Sequence, residues 1–216
     1  EEAEAVSPLA AHVFNLPFVT GVFISGNFIT VTKNNSIEWD LVQIELPYAS
    51  DVVGKRYAPP NTSWALCAGL VAPKSRGELR LKSANPADRP IVDARFLSHP
   101  DDVKALAYGI ELARDIGNSA AMRDYVKREV APGQKLTGLE MENFVRDGAT
   151  TYFHQAGTCR MGKDDKAVVD AKLRVNGVKN LRIADSSIMP RIASVATMAS
   201  CVLIGERMAE ILTQRS

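Results

Sequence analysis

The residues best placed to do chemistry sit in TTYFHQAGTCRMGK, residues 150–163. His154 stands between the aromatic pair Tyr152–Phe153, read as a strand end, and a turn at Gly157. A scaffold displays a base into a cleft at such positions, and a neutral imidazole suits proton abstraction. A satisfied structural histidine fits the same residues, and local sequence leaves both readings open. Cys159 with His154 could form a thiol nucleophile and its base. That pairing needs a lowered thiol pKa and a third orienting group, neither of which a sequence shows. A small packed side chain after a Gly-Thr turn is the simpler reading of Cys159. Gly157 to Lys163 matches GxxxxGK, but Asp164 follows. A phosphate-binding loop needs Ser or Thr there for magnesium, and a carboxylate would repel phosphate. Farther on, Asp185 and Ser186 end the run LRIAD before the last helix. They form either a plain polar corner or the lining of a site at a helix N-terminus, which carries partial positive charge.

These residues need elements to position them. A helix is expected around Glu2 to Phe14, ended by Pro17. GVFISGNFITVTK then reads as a hairpin around Ser25-Gly26-Asn27, closed by Asn34-Asn35-Ser36. LVQIELPYAS is extended from Leu41, and WALCAGLVA (64–72) is an apolar run of strand length. In ELRLKS, Leu79 and Leu81 alternate with charged residues and are expected to face inward. IVDARF is a further strand. Ser98-His99-Pro100-Asp101 starts a helix with Val103, Leu106, Ile110 and Ala113 on one face. Thr137 and Glu140 start another, with Met141, Phe144 and Val145 inward. After Pro190 a long helix runs from about Thr197, with Met198, Cys201, Val202, Gly205, Met208, Ala209 and Leu212 as its expected buried stripe. Strands and helices in blocks rather than strict alternation indicate an α+β fold, an antiparallel sheet with helices packed on one face.

Composition narrows the function classes. The 216 residues carry 26 Lys+Arg against 25 Asp+Glu and are 46% hydrophobic, an ordinary globular balance. A net charge of +1 argues against a strongly basic nucleic-acid binder. No apolar run approaches the ~18–20 residues of a membrane span. The start, EEAEAV, lacks an initiator Met and a basic segment, and the chain reads as part of something longer. Cys67, Cys159 and Cys201 are odd in number and far apart, so neither a disulfide framework nor a CxxC metal pair is readable. Such usage suits a reducing compartment, and a cytoplasmic location is expected. His12, His99 and His154 have no ligand spacing, and no metal is expected. The 14 glycines include no pair separated by one residue, so the chain has no dinucleotide fingerprint of its own.

Together, VAPKSRGELRLKSANPADRPIVDARFLSHPDDVKALAYGIELAR, HQAGTCRMG, VVDAKLRVNGVKNLRIADSSIMP and GERMAEIL resemble the C-terminal part of the glucose-methanol-choline (GMC) flavin oxidoreductases. The resemblance covers about residues 41–216, with an FAD-contacting segment at 181–216. It implies an FAD enzyme that oxidises a small alcohol by hydride transfer to flavin. His154 matches the family's active-site base. Asp185, Ser186, Ala196 and Thr197 match residues that contact FAD, with the following helix aiming its N-terminus at the flavin ring. The family's glycine-rich FAD-binding domain is missing from these residues, so the chain is expected to be inactive alone and to need that domain as a partner. The family pattern after SIMP has five residues, then His or Asn, then Thr; Ala196 takes the His/Asn place and offers no side-chain hydrogen bond. Residues 1–40 differ again. SPLAAHVFNLPFVTGVFISGNFITVTKNNSIEWD resembles part of the N-terminal domain of Nfu-type iron–sulfur scaffold proteins, without their cluster-binding CxxC. That implies a fusion near Ile37 to Leu41 and, as the alternative function, a scaffold module for iron–sulfur assembly.

Overall fold

A computed structural model describes residues 19–25, 28–33, 39–193 and 197–213. The expected first helix and the Asn34-Asn35-Ser36 turn lie outside them. The chain divides into two compact units, residues 1–70 with 97–150 and residues 71–96 with 151–216.

The first unit is built on a four-stranded antiparallel sheet in the order β1-β2-β3-β4. Its strands are β1 (Val19–Ser25), β2 (Phe28–Lys33), β3 (Trp39–Ile44) and β4 (Ala65–Leu70). The β1–β2 hairpin is the expected one, with an irregularity of register between Val19 and Gly21. β3 runs through the position of the expected junction at 40/41. It pairs with β2 through Val31↔Leu41 and with β4 from Trp39↔Leu70 to Ile44↔Ala65. Strands from both sides of that junction therefore share one hydrogen-bonded ladder, and Leu41 beneath it is 2% exposed.

Among the described residues this unit also has the α-helices α1 (Asp51–Tyr57), α2 (Pro100–Gly117) and α3 (Leu139–Gly148). α2 packs on β3, β4 and α3. Its buried Val103 joins Leu97, Leu136, Met141 and Val145 in a core that Leu106, Ile110 and Phe144 extend. Its N-cap is His99 rather than Ser98, because the imidazole Nδ1 accepts the Asp101 amide at 3.2 Å. At α3 only half of the expected capping box forms: the Thr137 amide donates to Glu140 at 3.3 Å. Ser50 ties α1 to α3 by accepting the Val53 amide and donating its hydroxyl to the Asp147 carbonyl. An Arg56–Asp147 ion pair at 2.6 Å and the edge-on Tyr57–Phe144 rings reinforce that joint.

The second unit contains the ribbon β5 (Glu78–Arg80) with β6 (Ile91–Asp93) and the helix α4 (Met198–Thr213). Gly77 is required at the ribbon, since a Cβ there would stand 2.2 Å from the Asp93 carbonyl oxygen. Leu79 and Leu81 do not face inward; they are 47% and 84% exposed. A two-stranded ribbon has a buried face only where another layer covers it. The core of this unit is Val169, Leu173 and Ile188, against which Ile204, Met208 and Ile211 of α4 pack. The expected stripe on the last helix is thus corrected. Met198, Val202 and Leu212 are exposed, and the packed row is i, i+4, i+7 from Ile204. α4 is apolar on two rows, and periodicity alone does not choose between them. No helix among the described residues is long and apolar enough to cross a membrane.

Leu106 and Leu81 separate core from surface by experiment. Leu106→Ala should lower stability in urea denaturation by about 2 kcal/mol, the low end for a core leucine because the site is partly buried. Leu81→Ala should change it by less than ~0.5 kcal/mol. Equal effects would contradict this packing.

Candidate active site

Residues 185–189 and 154–161 form one hydrogen-bonded corner in the second unit. Asp185 begins a single helical turn, Ser186–Ile188, and its carboxylate accepts the Ser187 amide at 2.7 Å. The carbonyls of so short a turn have no acceptor role inside it beyond the first, and they need outside donors. The neighbouring loop supplies them. The amides of Gly157, Cys159 and Met161 donate to the carbonyls of Ser186, Ser187 and Ile188 at 3.2, 2.9 and 2.7 Å. The Ser186 hydroxyl adds a bond to the Gln155 carbonyl at 2.9 Å. Gly157 has φ +85° and a Cβ there would meet the Met189 carbonyl at 3.2 Å, so this turn calls for glycine.

His154 projects from the start of this loop and is exposed. The strand end expected at Tyr152–Phe153 is absent: Phe153 is in the left-handed region at φ +60° and lies outside any strand. Likewise LRIAD is no strand; it contributes a single bridge, Arg174 to Arg182. Irregular turns, not a sheet, therefore aim the imidazole. Its Nδ1 lies 3.2 Å from the hydroxyl of Thr197. Thr197 is buried, and its carbonyl accepts the Cys201 amide at 2.9 Å, which places it at the N-cap of α4. Among the described residues Nε2 has no hydrogen-bond partner. His154, Ser186 and Thr197 are thus brought into one corner, with Asp185 capping its turn. Ala196 lies outside the described residues.

The other sequence motifs resolve differently. Gly157 to Lys163 is a loop followed by no helix, so it cannot act as a phosphate-binding loop. Its acidic ending has a local use: Arg160 holds Asp164 through two guanidinium–carboxylate bonds, and the Lys166 amide adds a third. These contacts push the Asp164 carboxyl down to about 2. Asp170 is held down to about 2 in the same way by Arg174 and by the backbone of its own turn. The Gln155 carbonyl and the Thr197 hydroxyl acquire contacts that no spacing rule signals, because both act across more than thirty residues of chain.

The chain is similar to known proteins over most of its length. A family model described as GMC oxidoreductase matches residues 73–205, and one described as scaffold protein Nfu/NifU N terminal matches residues 1–48. An alcohol dehydrogenase (acceptor) of Pseudomonas putida is 44% identical over 144 residues, 66% of this chain and 26% of that protein. An oxygen-dependent choline dehydrogenase of Escherichia coli is 35% identical over 198 residues, 89% of this chain and 35% of that protein. Among solved structures, pyridoxine 4-oxidase from Mesorbium loti aligns with a TM-score of 0.74 at 30% identity, covering 83% of this chain and 34% of that one. A formate oxidase of Aspergillus oryzae that carries a modified FAD aligns at 0.72 with 29% identity over 82% of this chain and 32% of that one. The chain spans about a quarter to a third of the length of the curated relatives it matches.

The Arg160–Asp164 clamp makes a pH-dependent prediction. Because the folded carboxyl sits below its ordinary value of 3.8, its contribution to stability is present above about pH 4 and is lost as pH falls through about 2. Arg160→Gln should move the Asp164 titration midpoint, followed by carboxyl-carbon NMR, up toward 3.8. A midpoint that stays near 2 would assign the effect to the Lys166 amide instead.

Proposed function

Because the chain belongs to the GMC oxidoreductase family, we propose that it is the C-terminal, substrate-binding part of an FAD-dependent enzyme that oxidises an alcohol with His154 as general base. The observation that carries this reading is the exposed imidazole at the N-terminus of α4, held from one side by Thr197 and open on the other. The residues present fit the flavin end of such a cofactor. The first-turn amides of α4 have no partners within the helix and favour negative charge, and the exposed Met198 beside them offers apolar surface. When bound, FAD supplies the acceptor for the hydride that leaves the alcohol carbon. His154 takes the hydroxyl proton on Nε2, which raises the electron density on the alcohol oxygen as the hydride departs.

Asp185 and Ser186 support the cofactor side by holding backbone in place. The Asp185 carboxylate accepts the Ser187 amide through one oxygen and the Ser186 hydroxyl donates to the Gln155 carbonyl, which fixes the turn and leaves acceptor oxygens on both side chains for the cofactor. Ala196 leaves the second hydrogen-bonding position empty of a side-chain donor, and His154 is then the sole base. Nothing in the described residues resembles a grip for the adenine dinucleotide, so the chain alone should retain no FAD through gel filtration. Stoichiometric flavin retained by the chain alone would overturn that expectation.

A second reading draws on the match at residues 1–48: a module that docks a partner in iron–sulfur assembly. The same stretch supplies β1 and β2 to the sheet, which gives it a structural use without a partner. Capture of iron–sulfur assembly proteins that a separate 1–48 peptide competes away would favour docking.

The direct test fuses a relative's FAD-binding domain ahead of Glu1 and follows flavin reduction by primary alcohols and choline in stopped flow. His154→Ala should slow reduction by about 10²–10⁴-fold, the usual worth of positioned acid–base catalysis. The thermal melt should stay unchanged, because the imidazole is exposed. Ala196→Asn should raise the rate. Reduction unchanged in His154→Ala would end the general-base assignment.

A further inference from the structure

We propose that Thr197 is a positioning residue that fixes the tautomer of His154, keeping the neutral imidazole's proton on Nδ1 and the lone pair on Nε2. The inference deepens the reading of His154 as a base and rests on it for its functional meaning. Its geometry stands alone. One ring nitrogen is turned inward, with Nδ1 at 3.2 Å from the Thr197 hydroxyl, and Thr197 is only 6% exposed. The other, Nε2, has no partner among the described residues and sits on an exposed side chain. Which nitrogen of a histidine carries the proton is set by the bond its other nitrogen makes.

A hydroxyl can accept or donate, so distance alone does not choose. The chemistry does. If Thr197 donated to Nδ1, the proton of the neutral ring would lie on Nε2, and the outward nitrogen could accept nothing. If Oγ1 accepts from Nδ1–H, Nε2 is free to take a proton. The same bond then survives in the imidazolium, whose Nδ1–H still points at Oγ1. Proton uptake needs no rotation of either group, which is the advantage of a preorganised site. Free imidazole side chains in water favour the opposite, Nε2–H form, so the site must supply the bias. Thr197 is held in place to do so, because its backbone is fixed as the N-cap of α4 through the Cys201 amide. No carboxylate touches the ring among the described residues; the hydroxyl takes the orienting place that a carboxylate or carbonyl fills elsewhere.

The test is long-range proton–nitrogen NMR on the full chain with nitrogen-labelled histidine, in alkaline buffer where imidazoles are neutral. There are three histidines, and His154→Gln assigns the signal. The Nδ1–H pattern is expected for His154. Thr197→Val should convert it to the Nε2–H pattern, and Thr197→Ser should keep Nδ1–H. Unmoved amide signals of Val169, Leu173 and Ile188 show that the second unit's core is intact. An Nε2–H pattern for His154 in the unaltered chain, or no change in a folded Thr197→Val, overturns the proposal; if Thr197→Val does not fold, the unaltered chain and Thr197→Ser decide it. The two readings also fail separately. A Thr197-dependent Nδ1–H form with no alcohol-driven flavin reduction in the fused enzyme leaves this assignment standing and removes the oxidoreductase reading. An Nε2–H form in an enzyme that still depends on His154 does the reverse.

Discussion

Three backbone amides, on Gly157, Cys159 and Met161, hold this site together by donating to three successive carbonyls, on Ser186, Ser187 and Ile188. Neither partner is a strand, so no sheet ladder enforces the pairing. The helical turn 186–188 exposes carbonyls that must find donors, and the loop exposes amides that must find acceptors. Each satisfies the other. His154 precedes this zipper by three residues and inherits its position from it, while Thr197 meets the ring from the far side of Pro190. Loosening the zipper would cost the imidazole its aim before it cost the unit its core.

Polar pins of this kind matter more where little apolar surface is buried. The second unit's fully buried apolar residues are few, chiefly Val169, Leu173 and Ile188, and much of its chain is turn. Its irregular backbone is fixed by carboxylates that accept amides two to four residues on: Asp164 from Lys166, Asp170 from Lys172 and Arg174, Asp185 from Ser187. An ionised acceptor makes a stronger bond than a neutral one. The first unit relies instead on a sheet covered by α2, with a continuous apolar core.

Much of the first unit was legible in the sequence because its elements are periodic. The hairpin pattern of β1 and β2, the apolar run of β4 and the Val103–Leu106–Ile110 row each specify one element, and each formed. The second unit resisted the same reading. ELRLKS alternates as a half-buried strand should, yet Leu79 and Leu81 are exposed on a two-stranded ribbon. α4 carries two apolar rows, and of the expected stripe Met208 packs on the core, flanked by Ile204 and Ile211, while Met198, Val202 and Leu212 are exposed. At the site, His154 was singled out by residue type and a nearby turn, and the family resemblance strengthened it. Its contact with Thr197 was invisible, since a hydroxyl forty-three residues away leaves no local pattern. Tertiary pairing, not propensity, made the site.

The family membership and the zipper lead to one account: a GMC-type corner in which backbone bonds, not a sheet, present the His154 imidazole beside a helix N-terminus. Amide hydrogen exchange read residue by residue tests that claim most directly. The account predicts that Gly157, Cys159 and Met161 exchange together, slowed by about 100-fold or more relative to unstructured chain, as members of one cooperative unit. Free exchange of these three amides, at the rate of an exposed loop, would contradict it.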